Sequence, residues 1–245
     1  MQAINSSFDN QTVLACITEI WNYAPNSNSV YTAYSTDLAL QSRGEGVTLL
    51  INKKYPSRLI SKWNRGLICC QTVLQSKLNL LAFGIYINPI DKMSLVNEYI
   101  DHIAKTISSF KAQAILVLGD FNNTQQQFYN ALSVGRMMFI HSPQSRNQFR
   151  QGRILTGNLD AIISSIPILP IKEIKNSLSD HYLITAEIEI MPEVEIKKYT
   201  SKSLIFASAS KVPHINWPEE PFNKFNEIKQ KSIKIPILST IKKLG

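Results

Sequence analysis

Three cysteines are all that this chain of 245 residues contains, and two of them, Cys69 and Cys70, are adjacent. That is too few for a disulfide framework, and neither C-x-x-C nor any zinc-ligand spacing occurs. Cys16, Cys69 and Cys70 all lie in apolar strand-like runs, which reads as reduced core residues of an intracellular protein. No apolar stretch approaches the length of a membrane span. The polar stretch Met1 to Asn10 lacks the apolar centre of a signal peptide. Internal repeats and low-complexity tracts are absent too. Acid is in short supply: 18 Asp and Glu against 26 Lys and Arg leave a net charge of +8. The excess is uneven, with ten Lys and five Glu from Met191 onward. A basic balance favours an anionic partner, nucleic acid first. An AT-rich coding sequence, which inflates Lys, Asn and Ile, accounts for the charge equally well.

What is present suffices for a full core, since 44% of the residues are hydrophobic. Short apolar runs at Val13–Thr18, Val30–Tyr34, Gly46–Ile51, Leu67–Leu74 and Leu78–Tyr86 read as strands. Ala114–Leu118 reads as a buried strand, and Phe139–Ile140, Asp160–Ser164 and Leu183–Ile190 supply later ones. Met93–Phe110 reads as a helix, with Leu95, Val96, Tyr99, Ile100, Ile103 and Ile107 on one face. Gln125–Leu132 reads as a second, with Thr124 as a candidate cap. Helices intervene singly between groups of strands, which predicts an α+β layered sandwich rather than a doubly wound sheet. This domain is expected over residues 1–190, with 191–245 a basic linker or tail broken by Met191-Pro192 and by Pro213, Pro218 and Pro221.

Chemistry-bearing groups recur where these runs begin or end. Glu19 follows the first run, Gly119-Asp120-Phe121-Asn122 follows Ala114–Leu118, Asn158-Leu159-Asp160 precedes Ala161, and Ser179-Asp180-His181 precedes Tyr182. Strand ends hold a reacting group rigidly and leave it reachable. Phosphodiester hydrolysis needs a polarising metal, an activated water and a donor for the developing charge. Glu19 offers the hard oxygen that Mg²⁺ prefers, although strand-end glutamates are usually just solvated. Asp120 and Asn122 share one side if the chain stays extended, and Gly119 lets the backbone pass close to a substrate; Asp, Asn and Gly also make ordinary turns. His181, if kept protonated by a carboxylate, donates to a phosphate oxygen. His102, His141 and His214 read as structural. Arg146, Arg150 and Arg153 around Phe149 suit phosphate contact and base stacking, or a solvated loop. No serine sits on a nucleophile elbow, which argues against acyl transfer.

Taken in order, these elements resemble the metal-dependent endonuclease/exonuclease/phosphatase family, and within it the endonuclease domains of non-LTR retrotransposons. The resemblance spans about Val13 to Ile190. It implies a four-layer α/β/β/α sandwich of two mainly antiparallel sheets and a Mg²⁺ or Mn²⁺ cofactor. It also implies DNA as substrate, nicked before reverse transcription, in a monomeric nuclear enzyme whose full-length element carries a reverse transcriptase domain. By resemblance, Glu19 binds metal with Asp180 assisting there or at the leaving group. Asp120 activates water, Asn122 and Tyr86 position the phosphate, and Asp160 orients His181. Arg43, in the Gly-rich stretch Arg43-Gly44-Glu45-Gly46-Val47, stands near the DNA backbone or in a plain hairpin turn. One departure matters. Family members begin with a strand carrying a metal-supporting Asn, and only 18 residues precede Glu19 here. That first strand is therefore expected to be missing, Asn5 is too close to replace it, and the sheet is expected to show an open edge. Two other readings follow: an inactive DNA-binding remnant, and a phosphoesterase for a small ester such as an inositol phosphate or a phospholipid headgroup.

Overall fold

A computed structural model describes residues 12–20, 25–37, 45–63, 66–74, 77–150, 153–170, 181–190 and 231–239, with the backbone alone at 147–150, 153–155, 170, 188–190 and 231–239. The strands, in chain order, are β1 (Leu14–Thr18), β2 (Tyr31–Ser35), β3 (Val47–Asn52), β4 (Ser57–Trp63), β5 (Leu67–Val73) and β6 (Asn79–Tyr86). After helix α1 (Met93–Ser109) come β7 (Ala114–Asp120) and helix α2 (Gln125–Leu132). They are followed by β8 (Phe139–His141), β9 (Arg146–Arg150), β10 (Arg153–Gly157), β11 (Asp160–Ser164), β12 (Ile168–Pro170), β13 (Leu183–Ile190) and β14 (Lys231–Ser239). One sheet has the order β12-β13-β14-β1-β3-β2 and the other β4-β5-β6-β7-β11-β8, while β9 and β10 form a separate hairpin. No described helix is long and apolar enough to cross a membrane.

The two large sheets pack face to face, as the run-by-run pattern predicts. Alternation along each strand decides which residues meet there. Leu14 and Cys16 of β1, Leu49 and Ile51 of β3, and Ile184 and Ala186 of β13 meet Leu80 and Ala82 of β6, Leu116 and Leu118 of β7 and Ile162 of β11. The opposite parity of the second sheet (Leu81, Phe83, Ile115, Val117, Ile163) packs under both helices. The apolar face of α1 is the expected one, with Val96, Tyr99, Ile103 and Ile107 buried. β6, α1 and β7 form one parallel crossover unit. The described helices thus both cover one sheet, and the outer face of the other carries a smaller cluster around Ile17, Tyr31 and Leu50. All three cysteines are buried and free.

Several elements differ from the sequence expectation for physical reasons. β4 is an edge strand with a register shift between Leu59 and Ser61, so a bulge scrambles the alternation that would have marked it. Arg146 to Arg153 is a β-hairpin rather than a loop. Thr124 sits at the N-cap of α2, but its hydroxyl donates back to the Phe121 carbonyl at 2.6 Å instead of accepting from the helix. Most consequential is β14, within the stretch read as a tail. It pairs parallel to β1 on one side and antiparallel to β13 on the other. The open edge expected beside the Glu19 strand is therefore filled.

Candidate active site

The topology brings one end of five strands together. β6 and β7 run parallel and finish at Tyr86 and Asp120, while antiparallel β11 starts at the same level with Asp160. Register places Tyr86 beside Asp120 and Asp120 directly opposite Asp160. Parity then turns all three toward the inter-sheet space, because Leu116, Leu118 and Ile162 face that way. From the facing sheet, β1 delivers Glu19 just past its end, and His181 lies two residues ahead of β13. Tyr86, Asp120, Asp160, Glu19 and His181 therefore converge.

Two contacts organise the cluster. His181 Nδ1 and Asp160 Oδ2 are 2.8 Å apart and buried. With Nδ1–H donated to this carboxylate, Nε2 is the ring nitrogen turned away from it. The Tyr86 hydroxyl donates to Glu19 Oε1 at 3.2 Å. Burial first, then the negative Glu19 and Asp120, hold the Tyr86 phenol far above its ordinary range, so it stays a neutral donor. Glu19 itself has φ 51°, a left-handed backbone uncommon for a non-glycine residue and of the kind concentrated at functional sites.

Asp120 and Asp160 are like charges placed opposite one another on paired strands, an arrangement that destabilises an ordinary sheet. Burial, then Asp160, pushes the Asp120 carboxyl well above the usual carboxylate range; His181 and the Asn122 N–H pull it back, and Glu19 adds to the rise. The ligand atoms of Asp120, Asp160 and His181 all lie within 4.8 Å of one another. Asp160 Oδ1 and the Thr18 hydroxyl are buried and find no hydrogen-bond partner among the described residues. Buried acceptors of this kind are normally satisfied. Hard oxygens in excess of their donors are what a divalent cation accommodates, so the donor set fits such an ion.

The Asp120 loop combines both alternatives that its sequence leaves open. The chain does not stay extended: Asn122 has φ 44°, its N–H donates to Asp120 Oδ1 at 3.0 Å, and its Nδ2 donates to the Ile87 carbonyl at 2.7 Å. The turn aims the carboxylate. Gly119 corrects another expectation, because the backbone it approaches is that of β6. A Cβ there would lie 1.9 Å from the Ile85 carbonyl oxygen, at φ 144°. Phe121 turns inward as expected, edge-on to Phe128 with ring centroids 5.2 Å apart.

Ser145 carried no sequence signal, yet it ties the site together. Its buried Oγ accepts the N–H of Leu159 at 2.9 Å and of Asp160 at 3.0 Å. Its carbonyl accepts the Tyr182 N–H at 2.7 Å. One serine thus fixes the backbone of Asp160 and of the residue after His181. Ser145→Ala strands two buried donors, so a loss of about 1–3 kcal/mol in urea unfolding is expected. Arg146, next in the chain, bridges backbone to backbone with His181, which roots the β9–β10 hairpin at the site. Register sets Arg150 opposite Arg153 across the hairpin. Arg43 and Asp180 lie outside the described residues, as do Asn5 and His214. His102 stacks on Trp63, with ring centroids 5.4 Å apart. Asn88 builds a turn with Asp91, its N–H donating to Asp91 Oδ2 at 3.0 Å, beside a cleft of about 260 Å³ lined by Glu45, Tyr86, Asp91 and Tyr99.

No protein-family model and no curated protein matches this sequence. Solved structures do match. The endonuclease domain of TRAS1, a telomere-specific non-LTR retrotransposon, aligns at 12% identity over 74% of this chain and 87% of that one, with a TM-score of 0.56. The 3′ phosphatase NExo from Neisseria, bound to a product DNA hairpin, aligns at 11% identity over 74% of this chain and 90% of that one, with a TM-score of 0.49. An endonuclease/exonuclease/phosphatase protein from Bacteroides vulgatus aligns at 14% identity over 62% and 73% of the two chains, with a TM-score of 0.44. At such identities it is the fold that is shared. The chain shares the α+β sandwich fold of the TRAS1 endonuclease domain.

Proposed function

We propose that this chain hydrolyses DNA phosphodiester bonds with Mg²⁺ or Mn²⁺, as a nicking endonuclease of the retroelement type. The observation that carries the reading is the buried His181–Asp160 contact of 2.8 Å, set beside an Asp120 carboxyl whose charge burial and Asp160 disfavour. A bound divalent ion, held by Glu19 with Asp180 as a further candidate ligand, would polarise the phosphate and lower the barrier to attack. Asp120 takes the proton of the attacking water; its raised pKa makes it a better base near neutral pH than an ordinary aspartate. As the new oxygen–phosphorus bond forms and the bond to the leaving oxygen breaks, His181 donates through Nε2 to a phosphate oxygen. Asp160 holds that ring and its positive charge. The Tyr86 hydroxyl and the Asn122 amide edge position the phosphate.

DNA is favoured over a small phosphate ester because the basic β9–β10 hairpin springs from the backbone beside His181. Arg146, Arg150 and Arg153 would carry sequence-independent phosphate contacts, with affinity falling steeply as salt rises. Arg43 remains a proposed contact, and a reverse transcriptase domain in a longer element a proposed partner; a monomer in the nucleus is the matching proposal for assembly and location. The test is nicking of supercoiled plasmid with Mg²⁺ or Mn²⁺, with and without EDTA. Metal-dependent nicking, abolished by chelation and restored by added metal, is expected. A folded chain that binds DNA and never nicks it supports the inactive remnant instead. Hydrolysis of inositol phosphates without plasmid nicking supports the small-ester reading.

A further inference from the structure

The sheet that carries Glu19 and His181 is held together in its middle by one strand. β14 alone joins the β12–β13 pair to the β1–β3–β2 group. Its register to β13 runs from Leu183↔Leu238 to Ile190↔Lys231. Its register to β1 covers Cys16↔Ile237, Ile17↔Leu238 and Thr18↔Ser239. Ser239 therefore stands level with the residue before Glu19 and next in line after the partner of Leu183. Among the described residues, the backbone ladder joins the Glu19 strand to the His181 strand only through it.

The sequence of β14 suits the position. Ile233, Ile235 and Ile237 alternate with Ser232, Lys234 and Pro236. The isoleucines are in register with Ile188, Ala186 and Ile184, and Ile237 with Cys16. Ala186, Ile184 and Cys16 belong to the inter-sheet core. Register also sets Lys234 opposite Glu187. Proline is rare in a central strand because it cannot donate to a ladder. Here Pro236 lies within the β13 ladder, opposite Thr185, and just ahead of Ile237, where the β1 ladder begins. If β14 leaves, β1 and β13 each expose a row of unpaired backbone groups at the site.

We propose that the gap between β1 and β13 is a strand-accepting slot, that the chain's own segment Lys231–Ser239 is its occupant, and that this occupancy holds the Glu19 strand and the His181 strand in one sheet. The segment is an intramolecular strand complement, tethered through the long connection 191–230, where loop-closure cost grows only slowly with length. Its consequence for activity rests on the nicking function proposed above; its structural content does not.

Two measurements test it. In the full chain, Glu187→Cys with Lys234→Cys should give an intramolecular disulfide on mild oxidation, whereas Glu187→Cys with Ile235→Cys, on opposite faces, should not. A chain ending at Gln230 should exchange the backbone hydrogens of 14–18 and 183–190 at least tenfold faster. Adding a synthetic peptide of residues 229–241 should restore their protection, and with it any nicking that truncation removed. Absence of the crosslink, a crosslink found only between two molecules, or unchanged exchange on truncation each overturns the proposal. A second copy in the slot is what an intermolecular crosslink would mean. Crosslinking and protection as expected in a chain that never nicks DNA would leave the strand complement standing and sink the proposed nuclease.

Discussion

Asp120→Asn should lower metal-dependent nicking by about 10³-fold or more while making the metal-free chain more stable. The first effect follows from removing the base that takes the water proton and a carboxylate of the site, each worth orders of magnitude in rate. The second follows from the cross-strand Asp120–Asp160 pair. Burial and Asp160 raise the Asp120 pKa, so the folded state holds this proton more tightly than the unfolded chain does. Its stabilising contribution is complete below the ordinary aspartate range and is lost as pH rises toward the shifted pKa. Asn carries no charge to desolvate, so the variant should gain on the order of 1 kcal/mol near neutral pH, or about 2–4 °C in Tm. The wild-type chain should also gain more Tm from Mg²⁺ or Mn²⁺ at pH 8 than at pH 6, because metal and proton compete for the same oxygens. Calorimetry on the two proteins, with metal and with EDTA, measures all of this. A metal-free Asp120→Asn chain less stable than wild type would show that the opposed carboxylates are not a stored cost.

The second large effect concerns the imidazole. His181→Ala should reduce nicking by about 10²–10³-fold, as expected when a donor to the developing charge is lost. Asp160→Asn should cost a similar factor, since it removes the acceptor that fixes the ring's tautomer and holds its positive charge. The double variant should be little worse than either single one. Groups that act as a unit are strongly non-additive. Plasmid nicking rates for the wild type, both single variants and the double variant close the cycle. Additive losses would mean that Asp160 acts separately from His181, for instance as a metal ligand only, which the clustering of its oxygens with Asp120 permits geometrically.

Much of the site could be read before any coordinates because its residues sit at ends of apolar runs, and a run's end is local information. Asp120, Asp160, His181, Glu19 and Tyr86 all stand out that way. Ser145 does not, since a serine in a polar loop has no periodicity and its role depends on three backbone groups distant in sequence, those of Leu159, Asp160 and Tyr182. The expected role of Gly119 was displaced from substrate to β6 for a similar reason: which backbone passes close is a property of the pairing. The turn at Asn122 needed both the Asp120 side chain and the Ile87 carbonyl to be in place.

By itself the sequence determined both helices and the apolar strands that frame the site, though not β4, β9, β10, β12 or β14, together with the apolar face of α1 and the residue types at the strand ends, because period and composition are local. Tertiary structure decided that Tyr86, Asp120 and Asp160 fall in one row, that an acid lies opposite an acid, and that Lys231–Ser239 fills the gap between β1 and β13. Those outcomes depend on register and on pairing between segments far apart in the chain. A pairing free energy shared by two strands cannot be read from either strand alone.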